Sequence, residues 1–228
     1  MFENKFLNMK NDTNTKDFQF MGCVEIKELL GRRADDELKL LELIEEVPLD
    51  SIYYHTHSYF LRHFYIAGAY PNDFADWAAI QVRDRVLGEK LAVVTHFDNK
   101  SIEDIRGELI DIIDSHLSTM KIIPSIGYGQ SFHFMKSTII EVPTGTSVRT
   151  MEEFFEALKT IDASAIYNHV YEARLRDQKG RSDFAIWIDE VLKRPELAKK
   201  IESIDSYMYS LEGLRIKLLD LCAKEIKN

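Results

Sequence analysis

Cysteine is scarce: Cys23 and Cys222 are the two in 228 residues. They stand far apart with no second pair, which leaves neither a disulfide framework nor a zinc ribbon to build and suits a reducing compartment. Long apolar runs are missing as well. Charges interrupt every stretch well before the roughly 20 residues that a membrane-spanning helix needs, and the N-terminal MFENKFLNMKNDTNTKDF carries no signal-peptide apolar region. A cytoplasmic protein with no membrane partner is expected.

Positive charge is in deficit, with 29 Lys and Arg against 38 Asp and Glu and a net charge of -9. Such a field repels a phosphate backbone, so nucleic acid is not an expected partner. The chain also lacks H-E-x-x-H, a Walker loop, G-x-G-x-x-G and G-x-S-x-G. The paired Glu-x-x-His motifs of a di-metal carboxylate bundle are absent too. His169-Val-Tyr-Glu172 has the spacing in reversed order, and Ser58 stands at its first-half counterpart.

What is present is enough apolar residue, 45% of the chain, to bury a substantial core. The chain also resembles itself. Phe18-Gln-Phe20 recurs as Phe132-His-Phe134, 114 positions on, and the same offset lays Ser51 to Arg62 over Ala165 to Arg176. Asn72-Asp-Phe-Ala-Asp-Trp77 matches Ser182-Asp-Phe-Ala-Ile-Trp187 at an offset of 110, the difference falling in the Ala67 to Pro71 loop. Ser101-Ile-Glu-Asp-Ile-Arg106 matches Ser210-Leu-Glu-Gly-Leu-Arg215. The organisation expected is a flexible tail over 1–16, one repeat over 17–119, a linker over 120–131 and a second repeat over 132–228.

The F-x-F segments alternate as short strands do, and the remainder reads as helix. Thr150 and Asp36 are positioned to cap the first helix of each copy. Asp50 and Ser164 are read as caps of the second helix, and Asn72 and Ser182 as caps of the third. Pro195 marks a first helical position, and Ser101 and Ser210 cap the last helices. The fold class expected is mostly α, two tandem helical repeats packed with pseudo-twofold symmetry and short strands near the F-x-F segments. On the second helix Tyr53, His57, Phe60, Leu61 and Phe64 share one side, while Ile52, His55, Tyr59, Arg62 and Ile66 form a stripe on the other. His55 and His169 are expected to approach each other across the pseudo-twofold.

Candidate ligand-binding residues follow from this comparison: His55, His57, Arg62, Asp73, His169, Tyr171, Glu172, Arg176 and Asp183. An imidazole, a carboxylate and a guanidinium in each copy could hold an anion or carry protons. The alternative is a fold-holding network of first-turn acids and paired arginines, which suits groups kept in both halves better than a single active site. His55 and His57, two apart on a helix, point about 200° from each other and cannot jointly chelate an ion. No metal ligand, cofactor or catalytic residue is assigned. The differences between the copies, His57 against Tyr171 and Ser58 against Glu172, are where specialised function is sought.

The segments Ser51-Ile-Tyr-Tyr-His-Thr-His57, Asn72-Asp-Phe-Ala-x-Trp77, Glu172-Ala-Arg-Leu-Arg176 and Ser210-Leu-Glu-Gly-Leu-Arg215 resemble a prokaryotic protein family of uncharacterised function, over nearly all of the chain beyond the tail. The resemblance implies no particular activity and points only faintly towards carbohydrate. The function expected is a non-catalytic binding or regulatory module whose groove between the copies takes a protein or a small anionic ligand. The second reading is a small metal-dependent enzyme using His55, His169, Asp73 and Asp183, linked to carbohydrate metabolism.

Overall fold

A computed structural model describes residues 17–65, 67–94, 101–177 and 180–227. The chain begins with β1 (Phe18–Ala34), followed by α1 (Glu37–Glu46), α2 (Leu49–Thr56) and a single 3-10 turn at Phe60–Arg62. Next come α3 (Asp73–Asp76), which runs on as the π-helical Trp77–Val82, then α4 (Arg85–Ala92) and α5 (Ile102–Leu117). The second half opens with β2 (Phe132–Val148) and α6 (Met151–Thr160). There α7 (Ala163–Tyr167) passes through a π-helical segment, Asn168–Glu172, into α8 (Ala173–Arg176). It closes with α9 (Asp183–Glu190), α10 (Pro195–Glu202) and α11 (Leu211–Ile226).

The strands pair antiparallel over almost their whole length, from Phe18 opposite Val148 to Ala34 opposite Phe132. This overturns the mostly α expectation. Strand accounts for 18% and helix for 56%, which makes the protein mixed α/β and not a tandem pair of helical repeats. The F-x-F alternation alone suggests short strands, and the sequence pattern carries the second only through Thr138–Val142 to a turn at Pro143, whereas β2 continues to Val148 and β1 to Ala34. In the middle of the ribbon Val24, Ile26, Leu29 and Ile140 are exposed. The hydrogen bonds of the partner strand, and not burial, therefore hold the outer residues extended.

The ribbon also connects two cores that each draw on both halves. Phe18 and Phe20, from the start of β1, pack with Phe154, Phe184, Trp187 and Leu218 of the second half. Phe132 and Phe134, from β2, pack with Phe74, Trp77, Leu87 and Leu109 of the first. Each F-x-F pair is thus buried under the helices of the opposite half, as the antiparallel register requires: it sets the beginning of one strand beside the end of the other.

Local signals placed most helix starts. Asn72 and Ser182 accept from the amides of Ala75 and Ala185, and Ser101 and Asp104 close a capping box. Ser210 caps α11, and Pro195 opens α10. The second helix differs from expectation. It begins two residues early, after Pro48 in one half and Asp162 in the other, and the Asp162 carboxylate takes the Ser164 amide at 2.9 Å. It also stops at Thr56 in the first half. There the Thr56 hydroxyl donates to the Ile52 carbonyl and the Ser58 hydroxyl to the Tyr54 carbonyl, bonds that compete with further helix. Ile66 and the 1–16 tail lie outside the described residues. No helix among the described residues is long and apolar enough to cross a membrane.

Candidate functional site

His55 and His169 stand where the helices meet the ribbon. His55 Nδ1 donates to Asp73 Oδ2 at 2.7 Å, and its Nε2 accepts the backbone N–H of Met135 on β2 at 3.0 Å. His169 Nδ1 donates to Asp183 Oδ2 at 2.8 Å, and its Nε2 accepts the Met21 amide on β1 at 2.8 Å. Because an amide can only donate, each ring is held as the neutral Nδ1–H tautomer with both nitrogens engaged. Burial pushes the His55 imidazole below its ordinary pKa, against the pull of Asp73. Burial would raise Asp73 in turn, but the hydrogen bonds and charges of His55 and Arg62 together hold its carboxyl below the usual range.

The arginines complete each set. Arg62 Nη2 donates to Asp73 Oδ2 at 2.6 Å and lies 4.1 Å over the Tyr54 ring. Arg176 reaches Asp183 at 3.1 Å, Asn168 at 3.2 Å and the carboxylate of Glu141. Arg106 and Arg215 donate to the Val47 and Leu158 carbonyls near the C-terminal ends of α1 and α6, at 2.8 and 2.6 Å. Arg181 is bonded to Glu202 and Asp189. These guanidiniums are already engaged with protein partners, which weakens the case for an anion site.

The histidines do not face each other across the molecule. Each is enclosed by a different aromatic cluster, His55 by Phe74, Phe132 and Phe134, His169 by Phe18, Phe20 and Phe184. What meets at the junction is the other side of the second helix. The hydroxyls of Tyr53 and Tyr167 lie 2.9 Å apart. Both also donate to Glu172 Oε1, Tyr167 at 2.8 Å. Burial first, and then the Glu172 charge, pushes the Tyr53 phenol upward, while burial followed by the Tyr53 and Glu172 charges does the same for Tyr167. Burial and Glu172 likewise push the Cys23 thiol up to about 12, so it stays protonated and inert.

Of the second-helix positions at which the two halves differ, His57, Tyr171 and Glu172 lie at this junction. His57 stacks on Tyr53, with centroids 5.4 Å apart, and Tyr171 on Tyr167 at 5.5 Å. Tyr171 also stacks on Phe60 at 4.8 Å, and its hydroxyl donates to the Ser206 carbonyl at 2.7 Å. Phe60 thereby carries the first-half segment into the second-half core.

Beside that insertion lies a cavity of about 350 Å³, lined by Tyr59, His63 and Tyr70 from the first half and by Tyr207, Met208 and Tyr209 from the second. Two backbone bonds bring the walls together, from the Leu211 amide to the His63 carbonyl at 3.4 Å and from Glu212 to Phe64 at 2.9 Å. The Tyr59 ring stacks on His63 at 4.0 Å and passes so close to Gly68 that a Cβ there would lie 1.6 Å from its hydroxyl oxygen. The wall contains Asp205 and no lysine or arginine among the described residues. Sequence reasoning pointed to a groove between the halves and placed Tyr59 on the His55/Arg62 stripe, but did not single out Tyr70, Tyr207 or Tyr209. The one signal for them was the clustering of Tyr207, Met208 and Tyr209 just before the Ser210 cap. Of the candidate residues, His55, Arg62 and Asp73 line a shallower depression beside His133.

A two-stranded ribbon bound at both ends by helices defines the class, a mixed α/β fold. By sequence the chain belongs to the Family of unknown function (DUF5752), whose pattern matches residues 15–223. Its fold is similar to that of OrfY from Thermoproteus tenax, with a TM-score of 0.73 and 23% identity over 93% of this chain and 96% of that one. No curated protein matches the chain.

Proposed function

We propose that the protein is a non-catalytic binding module that takes a small, uncharged, ring-bearing ligand, a sugar by its chemistry, into the aromatic cavity between the two halves. The observation that carries this reading is the wall itself, tyrosines from residues 59–70 facing tyrosines from 207–209 across about 350 Å³. That volume falls within the range of small-ligand sites, which are mostly apolar with a few placed polar groups. Flat aromatic faces cover the C–H face of a sugar ring, and the phenol hydroxyls and Asp205 offer partners to its hydroxyls. With no lysine or arginine in the described wall and a net charge of -9, an anionic ligand is a poor fit.

The His/Asp/Arg sets support the non-catalytic part of the reading, because two engaged ring nitrogens leave no lone pair or proton for chemistry. Calorimetric titration with neutral mono- and disaccharides tests the proposal. Saturable heat is expected with at least one of them, and it is expected to be lost in Tyr209→Ala and Tyr70→Ala while Tyr128→Ala, a fully exposed control, binds normally. Heat unchanged in both cavity variants, or found only with sugar phosphates, would overturn it.

A further inference from the structure

At the opposite end of the first half, the N-terminus of α1, the N-terminus of α4 and the last turn of α5 converge on three side chains. Glu37 is the first residue of α1, Asp84 the N-cap of α4 and His116 the penultimate residue of α5. One ligand atom from each lies within 4.8 Å of the others. His116 Nε2 sits 2.8 Å from Asp84 Oδ2, while Asp84 Oδ1 takes the Leu87 amide at 2.9 Å. Glu37 is fully buried, and neither of its carboxylate oxygens has a hydrogen-bond partner. A carboxylate in that position costs free energy unless a proton or a cation neutralises it.

The second half shows that the fold does not need this arrangement. Met151 is the first residue of α6, Arg194 the N-cap of α10 and Glu225 the penultimate residue of α11. There Arg194 Nη1 bonds Glu225 Oε1 at 2.9 Å and the first position of α6 is an apolar methionine, so the charges balance within the protein. The first-half corner has two acids and a histidine on the same three positions. The exposed Lys90 reaches His116 Nδ1 with its Nζ at 3.4 Å, on the ring nitrogen away from Asp84.

We propose that Glu37, Asp84 and His116 form a binding site for one divalent transition-metal cation of the zinc class. One imidazole and two carboxylates are a borderline donor set that zinc accepts with bonds of roughly 2.0–2.2 Å, leaving a fourth position for water. Small side-chain rotations bring the three ligand atoms to the roughly 3.4 Å spacing of a tetrahedral site. Magnesium and calcium, which require mainly oxygen ligands in larger numbers, fit poorly. Binding through Nε2 leaves the proton on Nδ1, and the Lys90 side chain then turns to water. The cation supplies the charge that the buried Glu37 lacks, and it pins the starts of α1 and α4 to the end of α5.

The test is Zn²⁺ alone, titrated calorimetrically into the full chain after chelator treatment, with melting followed in parallel. One equivalent is expected to bind and raise the melting temperature, and Mg²⁺ at the same concentration is expected to do neither. Glu37→Gln and His116→Gln should each weaken Zn²⁺ binding about 100-fold or more. The triple variant Glu37→Met, Asp84→Arg, His116→Glu copies the second-half corner and serves if either single variant fails to fold; it should bind none. No uptake by the unaltered protein, or uptake undiminished in the folded variants, would overturn the proposal.

Discussion

In the first half, His55 carries its Nδ1 proton towards Asp73 and receives on Nε2 the amide of Met135; in the second, His169 stands between Asp183 and the amide of Met21. The corners beyond them diverge. One gathers Glu37, Asp84 and His116 around a carboxylate with no hydrogen-bond partner, and the other closes on the Arg194–Glu225 pair, with Met151 opening α6 as Glu37 opens α1. Groups that recur with the same bonds are tied to the same task, holding a strand from the opposite half against local helices. Groups that recur in position but change in chemistry are released from that task. The comparison therefore separates the parts that hold the fold from those free to bind something.

The sharpest way to break the first side of this comparison is to remove an imidazole. His55→Ala or His169→Ala leaves a part-buried ribbon amide without its acceptor and an aspartate with its arginine alone, and each is expected to cost about 3 kcal/mol in urea unfolding. Similar losses would fit a shared structural task; a small loss in one half alone would show that the two sets do different work. For the corners, Met151→Glu should cost about 2 kcal/mol by placing an acid at a site 2% exposed with the Arg194 charge already committed to Glu225. The reciprocal Glu37→Met should raise the stability of chelator-treated protein by about 1 kcal/mol. A loss of stability instead would mean that Glu37 holds the fold.

At the junction, Tyr171→Phe removes a hydroxyl that bonds the Ser206 carbonyl and should cost about 1 kcal/mol. Tyr53→Phe removes one of the two phenols that donate to Glu172 and should cost a similar amount. Near neutrality the smallest effect is that of pH. The folded pKa of His55 lies below its unfolded value of about 6.5. On acidification the unfolded chain therefore takes up the proton first. The stability associated with His55 is fully present above that value and is lost as pH falls below it towards the lowered folded value. Asp73, also lowered, acts in the same direction further into the acid range. Between pH 8 and 5 the unfolding free energy of the unaltered protein should fall with acid relative to that of His55→Gln, in which this contribution is absent.

Much of this was legible in the chain. Asn72, Ser182, Ser101 and Ser210 cap helices because a short polar side chain satisfies the amides of its own first turn, a matter of a few residues. The pairing of the second helix with the His, Arg and Asp positions was visible from self-similarity. The length of the ribbon was not, because a two-stranded ribbon exposed in its middle shows little period-two burial. The end of α2 at Thr56 was missed because its apolar pattern continues across a break made by hydroxyl bonds to the preceding turn. Glu37, Asp84 and His116 were overlooked individually, although lining up the helix starts of the two halves sets Met151, Arg194 and Glu225 against them.

The sequence by itself determined most helix starts and their caps and the chain's family, since each depends on neighbouring residues or on the pattern of the chain as a whole. Only the tertiary structure decided that Phe18 and Phe20 lie under the second-half helices and Phe132 and Phe134 under the first. It decided too which amide each histidine receives, and that Tyr53 meets Tyr167 over Glu172. Those contacts join residues more than a hundred positions apart or cross between halves. They follow from strand register and helix packing, which no short stretch of sequence encodes.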